Sequence, residues 1–148
     1  MKKIFTLSAF ALFTALLLSS CVRTVNVNTD ENYWLTQERG DVVYSDSYCG
    51  YYVVETAYGY TILRAIGNGL PYENDVMYGN FGNSGTRNFY NRSAGIVVSG
   101  QVVEYDLTYT EAQYALEYYC PYYAGKGTEK KTIKNSGAVK IKRPGSTK

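Results

Sequence analysis

The chain has 148 residues, with 15 Lys and Arg, 13 Asp and Glu, and no His. This length allows one ordinary domain, or one small domain with terminal segments. The absence of His excludes catalytic triads and zinc sites that use histidine, and three Cys cannot form a four-thiolate metal site. We therefore expect neither a cofactor nor a metal ion.

The first 21 residues have the features of an export signal. Two lysines precede an apolar run over residues 4–18, which is too short for a membrane-spanning helix because such a helix needs ~20 apolar residues. The run ends in Leu18-Ser19-Ser20-Cys21. This ending resembles the lipobox of bacterial membrane lipoproteins.

The resemblance implies a lipid anchor at Cys21. In that family, fatty acyl chains are attached at the Cys, the preceding residues are removed, and the protein is held permanently in a membrane because it carries more than one chain. Val22 and Arg23 follow the Cys, whereas enteric-type bacteria use Asp there to retain lipoproteins in the inner membrane. The outer membrane is therefore favoured, on its periplasmic or its surface face. The alternative is an ordinary signal peptide over residues 1–20, with Cys21 as an incidental thiol.

Charge is distributed unevenly along the predicted mature chain. Residues 126–148 carry a net charge of +7, and residues 21–125 carry −7. A basic tail is suited to anionic envelope polymers, while single-stranded nucleic acid is disfavoured because no aromatic residues are interleaved. The alternative is a solvated tail, or one that folds back on the acidic body. The candidate anionic-surface contacts are Lys126, Lys130, Lys131, Lys134, Lys140, Lys142 and Arg143.

With Cys21 carrying lipid, Cys49 and Cys120 remain as a pair. In an oxidising envelope compartment, two remaining Cys most simply form one disulfide. The alternative is a pair of buried, reduced thiols.

Residues 21–41 have the polar composition of a tether, interrupted by Tyr33-Trp34-Leu35. These three residues either pack on the domain or lie in the membrane interface, where Trp and Tyr are favoured. A β-rich domain is predicted over residues 42–124. Its strands, inferred from alternation and turn signals, cover residues 41–44, 51–56, 60–66, 75–81, 86–90 and 94–109.

The last strand is expected to bend at Gly100, because glycine inside a strand marks bends and bulges. A helix over about residues 109–120 follows, with Thr108 and Glu111 in a capping box and Pro121 at its end. The pattern predicts a mainly β (α+β) fold, either a small curved antiparallel sheet or a partly open SH3-like or OB-like barrel. It has five to six strands and one C-terminal helix. Residues 125–148 are predicted to be a disordered basic tail.

Tyrosine is unusually abundant, with 17 residues, all after the export signal. Tyr presents a large amphipathic surface at low entropic cost, which suits binding, although most of these residues are expected to fill half-buried sheet positions. Those in predicted turns or after the helix are the candidate contact surface. They are Tyr58, Tyr72, Tyr122 and Tyr123.

No pattern of catalytic residues stands out. Glu55, Asp75, Glu104 and Asp106 have no spacing that selects an acid–base pair. We expect a lipid-anchored envelope protein with a binding or scaffolding role and no catalytic activity. The membrane is one partner, and the other is an anionic envelope polymer or an envelope protein. A Tyr-rich carbohydrate-binding or adhesive module is the first alternative. A small enzyme, or an enzyme inhibitor that uses loop 82–85, is the second.

Overall fold

The computed structural model describes residues 30–121 and 132–145. The predicted export signal, the ending that resembles a lipobox and residues 22–29 therefore lie outside the described residues. The elements in chain order are α1 (Glu31–Leu35), β1 (Glu38–Asp46), β2 (Tyr51–Thr56), β3 (Gly59–Ile66), β4 (Val76–Gly79), β5 (Gly85–Asn91), β6 (Ile96–Leu107) and α2 (Tyr109–Tyr119).

The six strands form a closed antiparallel barrel in the order β1-β2-β3-β6-β5-β4. Closure depends on β1, which pairs with β2 on one side and with β4 on the other, so that Gly40 lies opposite both Thr56 and Met77. The predicted mainly β fold with a C-terminal helix is thus confirmed. The barrel has six strands, and the pairing of β1 with β4 leaves it with no open edge.

Two hydrophobic clusters lie on opposite faces of the barrel wall. The interior cluster takes residues from all six strands, whereas the outer cluster lies between the wall and α2. Alternate residues of β2 enter different clusters, with Tyr52 and Val54 inside and Val53 outside. Because both faces of β2 are covered, five of its six residues are buried. Helix α2 therefore packs on the outside of the barrel rather than in one of its ends.

Strand β6 differs from the prediction of a bend at Gly100. Val98, Gly100 and Val102 alternate inward without interruption, and the pairing of β6 with β3 becomes irregular only beyond them, between Val102 and Leu107. Glycine is required at position 100 for another reason. A Cβ there would lie 2.5 Å from the hydroxyl of Tyr52.

Residues 132–145, here called the strap, run across the barrel. Ile133 is 1% exposed and belongs to the outer cluster. Its backbone N–H donates to Gln113 Oε1 at 3.2 Å, and its carbonyl accepts from the Tyr109 hydroxyl at 3.3 Å. This corrects the predicted disorder of the tail over residues 132–145, because one buried isoleucine and several polar contacts fix a segment that has little hydrophobic sequence.

The domain also begins earlier than residue 42. Asp30 caps α1 by accepting from the backbone N–H of Tyr33 at 3.4 Å, and β1 starts at Glu38. The Trp34 ring stacks on Tyr90 with 6.3 Å between centroids, as expected if Tyr33-Trp34-Leu35 packs on the domain. Within residues 30–121 and 132–145, neither helix is long and apolar enough to cross a membrane.

Candidate functional site

The predicted site residues fall into two groups, according to whether the structure describes them. Tyr58, Tyr72, the two bonded cysteines and four of the basic residues lie in the described part of the chain. The other predicted residues lie outside it, namely Cys21, Tyr122, Tyr123, Lys126, Lys130 and Lys131.

Cys49 and Cys120 form a disulfide that closes a separation of 71 residues, with 5.7 Å between their Cα atoms. Cys49 lies in the β1–β2 turn and Cys120 is the C-cap of α2. The bond therefore ties the end of the helix to the barrel wall on which the helix packs. The predicted pairing is confirmed.

Three of the predicted basic contacts are paired with carboxylates of the barrel body. Lys140 Nζ lies 2.6 Å from Glu55, and Lys134 Nζ lies 3.0 Å from Glu73. Arg143 pairs with two carboxylates, described below. These three residues therefore fit the alternative in which the tail folds back on the acidic body. Lys142 is exposed.

Glu55 is buried at the centre of the first of these contacts. Its Oε1 accepts hydrogen bonds from Lys140 Nζ, from the Ser136 hydroxyl and from the Tyr60 hydroxyl, the last at 3.1 Å. Burial alone would raise the pKa of Glu55, but these hydrogen bonds and the Lys140 charge outweigh it and lower the pKa below 4.5. Burial and the Glu55 charge both raise the pKa of Tyr60. The carboxylate therefore stays ionised and holds the strap to β2.

An open cleft of about 340 Å³ lies beside Glu55, between the strap and β1. Its apolar floor is Val42 and Val43, and its remaining lining is polar. A cleft of this volume is at the small end of the range for ligand sites. The lining residues are Asp41, Val42, Val43, Glu55, Asn74, Lys134, Asn135 and Ser136.

Arg143 is held more completely than the lysines. Its Nη1 and Nη2 donate to the two oxygens of Glu38 at 2.7 and 3.1 Å, and its Nε donates to Asp106 at 3.0 Å. The Tyr58 ring lies 4.2 Å from its Cζ. Tyr58, predicted to be a contact residue, is therefore half-buried beneath the strap.

The described part of the chain has exposed tyrosines that the turn signals do not mark. Tyr72 is exposed as predicted, but sequence reasoning missed Tyr114 and Tyr118 on α2, which are 69% and 78% exposed. Their spacing puts them on one helix face, out of phase with the buried Ala112, Ala115 and Leu116. This phase is visible in the sequence and could have identified both residues.

The helix face is joined to the disulfide region through aromatic contacts. The Tyr118 ring meets Tyr119 edge-on at 5.0 Å, and Tyr119 stacks on Tyr51 at 5.3 Å. The Tyr119 hydroxyl donates to Glu104 at 3.0 Å. Tyr118 is thus an exposed ring that packs against Tyr119, whose own position is fixed by Tyr51 and Glu104.

The four carboxylates considered for catalysis each have a partner. Glu55 and Asp106 bind strap cations, Glu104 accepts from Tyr119, and Asp75 accepts from Asn91 at 2.7 Å. Among residues 30–121 and 132–145, no group of three or more His, Cys, Asp or Glu side chains is placed to hold a metal ion.

The described geometry thus has two features on which a function could rest. One is the exposed tyrosine face of α2, and the other is the set of barrel carboxylates beneath the strap. Comparison of the chain with models of protein families, with curated protein sequences and with solved structures found no match to it.

Proposed function

We propose that the protein is a lipid-anchored, non-catalytic binding protein of the bacterial cell envelope. The lipobox resemblance at Cys21 supports the anchor and favours the outer membrane. The disulfide supports an oxidising compartment, since such bonds are rare in the cytosol. The anchor keeps the barrel close to a membrane, and the barrel presents a surface to a partner.

The observation that carries the binding role is the exposed pair Tyr114 and Tyr118 on a helix that cannot easily move. The capping box holds one end of α2, and the disulfide holds the other. Tyr is enriched among residues that dominate binding energy, because it buries much area while fixing only two torsions. A rigid helix reduces the ordering cost further. An envelope protein is the partner class proposed for this face.

A carbohydrate-binding or adhesive module is the second candidate. The same exposed rings favour it, since flat aromatic faces stack on sugar rings.

The anchor is tested by expressing the full chain in a Gram-negative host. The N-terminal peptide of the mature protein should begin at residue 21 and carry the mass of attached lipid. Cys21→Ser should abolish lipid attachment and release the protein from the membrane fraction. The double variant Cys49→Ser with Cys120→Ser is the matched control and should keep the lipid. A wild-type N-terminus without lipid would contradict the proposal.

The binding role is tested with the chain from residue 21 onward carrying Cys21→Ser. We expect it to co-sediment with outer-membrane fractions, and the double variant Tyr114→Ser with Tyr118→Ser to lose most of that binding. Tyr72→Ser, an equally exposed change elsewhere, is the control. Protease treatment of the fractions separates the two candidates, because it abolishes binding to a protein and spares binding to a glycan. Binding that survives loss of both helix tyrosines would contradict the role given to this face.

A further inference from the structure

The guanidinium of Arg143 lies in a socket to which four separate parts of the barrel contribute. We call this set the arginine socket: Glu38 at the start of β1, Tyr58 in the β2–β3 turn, Gly82 in the β4–β5 loop and Asp106 near the end of β6. All four residues belong to the barrel, and only the occupant belongs to the strap. The socket is therefore a property of the folded barrel.

The socket matches the shape of a guanidinium group. Glu38 binds both terminal nitrogens in a bidentate pair, and Asp106 accepts from Nε through both of its oxygens, at 3.0 and 3.1 Å. The Tyr58 ring covers one face of the planar group. A Cβ at position 82 would overlap the guanidinium, so a larger residue there would require Arg143 to shift. An ammonium ion could not make this set of contacts, because it is compact and has no planar fork.

An empty socket would be costly to the barrel. With Arg143 in place, the side chains of Glu38 and Asp106 are only 14% and 10% exposed. Without it, two neighbouring carboxylates would face each other with no cation. Asp106 has a φ of 55°, a left-handed conformation that carries an energetic cost for a residue other than glycine. Such strain is often found at functional sites. The folded barrel therefore contains both buried charges and a strained backbone at the arginine socket.

We expect the strap to leave the socket at a lower free-energy cost than unfolding of the barrel. Residues 132–145 form no helix and no strand, so release of Arg143 breaks no sheet ladder. Lys140 and Arg143 occupy neighbouring carboxylate positions on the strap's path, at Glu55 and at the socket. A chain with a lysine three residues before an arginine could make the same two contacts.

We propose that the arginine socket is a recognition site for arginine in a basic segment of a polypeptide partner, and that Arg143 is its internal ligand when no partner is bound. Because Arg143 is tethered, it competes at a high effective concentration. A partner must therefore use several contacts to displace the strap. The inference goes beyond the proposed function and depends neither on the lipid nor on the tyrosine face of α2.

The first test uses Arg143→Ala in the chain from residue 21 onward with Cys21→Ser. Its thermal midpoint should be several degrees below that of the same chain with Arg143 intact. Millimolar ethylguanidinium should restore much of the difference in a saturable way, and ethylammonium at the same concentration should not. Lys142→Ala, next to Arg143 and exposed, is the matched control and should show neither loss nor restoration. Equal effects of the two cations, or no effect of either, would overturn the proposal.

The second test uses a peptide with the sequence of residues 138–145 and a version of it in which Arg143→Lys is made. With the Arg143→Ala chain, the arginine peptide should bind about tenfold more tightly, which corresponds to about 1.4 kcal/mol. Glu38→Gln in that chain should remove the preference. Equal affinities would show attraction to charge alone and would refute arginine recognition.

If Arg143→Ala does not fold, the chain with Arg143 intact still tests the proposal. The Nε–H resonance of Arg143 should shift as the arginine peptide displaces the strap, and the lysine peptide should need about tenfold higher concentration for the same shift. A resonance that responds to neither peptide, at concentrations well above the millimolar range, would overturn the proposal.

Discussion

Tyr52 and Tyr60 lie on adjacent strands and are both buried, but their hydroxyl groups meet opposite environments. The Tyr60 hydroxyl donates to Glu55 at 3.1 Å. The Tyr52 hydroxyl points at Gly100 and has no hydrogen-bond partner among the described residues. An unsatisfied buried hydroxyl costs free energy, whereas a hydroxyl that donates to a carboxylate makes a stabilising charge-assisted hydrogen bond.

We therefore expect Tyr52→Phe to leave the free energy of unfolding unchanged or to raise it by up to about 1 kcal/mol. Tyr60→Phe, the matched change on the next strand, should lower it by about 1–2 kcal/mol. Urea unfolding of both variants measures the difference. Equal losses would show that the Tyr52 hydroxyl has a partner in the folded protein.

The lowered pKa of Glu55 makes stability depend on pH in a defined direction. Because the folded-state pKa lies below the ordinary 4.5, ionised Glu55 stabilises the fold above that pH. The contribution is lost as the pH falls from 4.5 through the folded-state value. Glu55→Gln should lower the free energy of unfolding at neutral pH by about 1–3 kcal/mol and should make its decline in acid less steep.

Urea titrations from neutral pH to below 4.5 test this expectation. Glu73→Gln is the control, because the side chain of Glu73 is much more exposed and an exposed ion pair contributes little. An acid slope in Glu55→Gln equal to that of the wild type would contradict the assignment.

Individual charges could be counted from the sequence, but their pairing could not. Lys140 lies 85 residues from Glu55, and Arg143 lies 105 residues from Glu38. The excess of basic residues after residue 125 indicated attraction to something acidic. Only the path of the strap shows that the acidic partners of Lys134, Lys140 and Arg143 lie in the barrel itself.

At the scale of elements, α2 is the part whose ends are set by local sequence. The Thr108 hydroxyl accepts from the Glu111 backbone at 3.3 Å, and the Glu111 carboxylate accepts from the Thr108 backbone at 2.8 Å. Thr108→Ala should lower the free energy of unfolding by about 1 kcal/mol. Thr110→Ala, an exposed position inside the helix, should have little effect. Similar losses in thermal or urea unfolding would argue against the cap.

The strap depends on one apolar side chain. Ile133 is 1% exposed, whereas Ile141 is 57% exposed on the same segment. Ile133→Ala should cost about 2–4 kcal/mol, since it leaves a cavity in the outer cluster. Ile141→Ala should change the free energy of unfolding by less than about 0.5 kcal/mol. Equal effects would show that the strap does not pack through Ile133.

Elements with local signals were predictable, and those without were not. The capping box and Pro121 mark the helix, and alternation with turn residues marks the strands. The irregularity in β6 depends on its pairing with β3, so it appears near Asp106 and not at the glycine that local rules favour. Ile133 shows the same limit, because a single isoleucine gives no sequence period and its burial requires the groove beside α2.

At the scale of the molecule, the disulfide and the closure of the barrel constrain most of the chain. The loop between Cys49 and Cys120 contains β2 to β6 and all of α2. Changing both cysteines to alanine should lower the free energy of unfolding by roughly 3–4 kcal/mol, because the unfolded chain regains loop entropy. Urea unfolding with and without reductant measures this loss of free energy. The double variant should be insensitive to reductant, whereas Cys21→Ser should retain the wild-type response.

The fold class followed from the spacing of short strands and one capped helix, but closure of the barrel did not. Closure requires β1 to pair with β4, and no local sequence pattern encodes this pairing. The early start of the domain at Asp30 also shortens the predicted tether. Nine residue steps separate Cys21 from Asp30, so the chain between them spans at most about 30 Å.

The position of the disulfide determines how the protein would respond to mechanical tension. A pull applied between the residues before α1 and the residues after Cys120 passes along β1 to Cys49 and then directly across the sulfur bridge. The 71-residue separation between the two cysteines is bypassed, so roughly 240 Å of chain length cannot be drawn out. The load is carried by α1 and β1, and a pull applied beyond residue 145 loads the strap as well. A partner held after the helix could therefore be pulled away from a membrane without extending strands β2 to β6 between the cysteines.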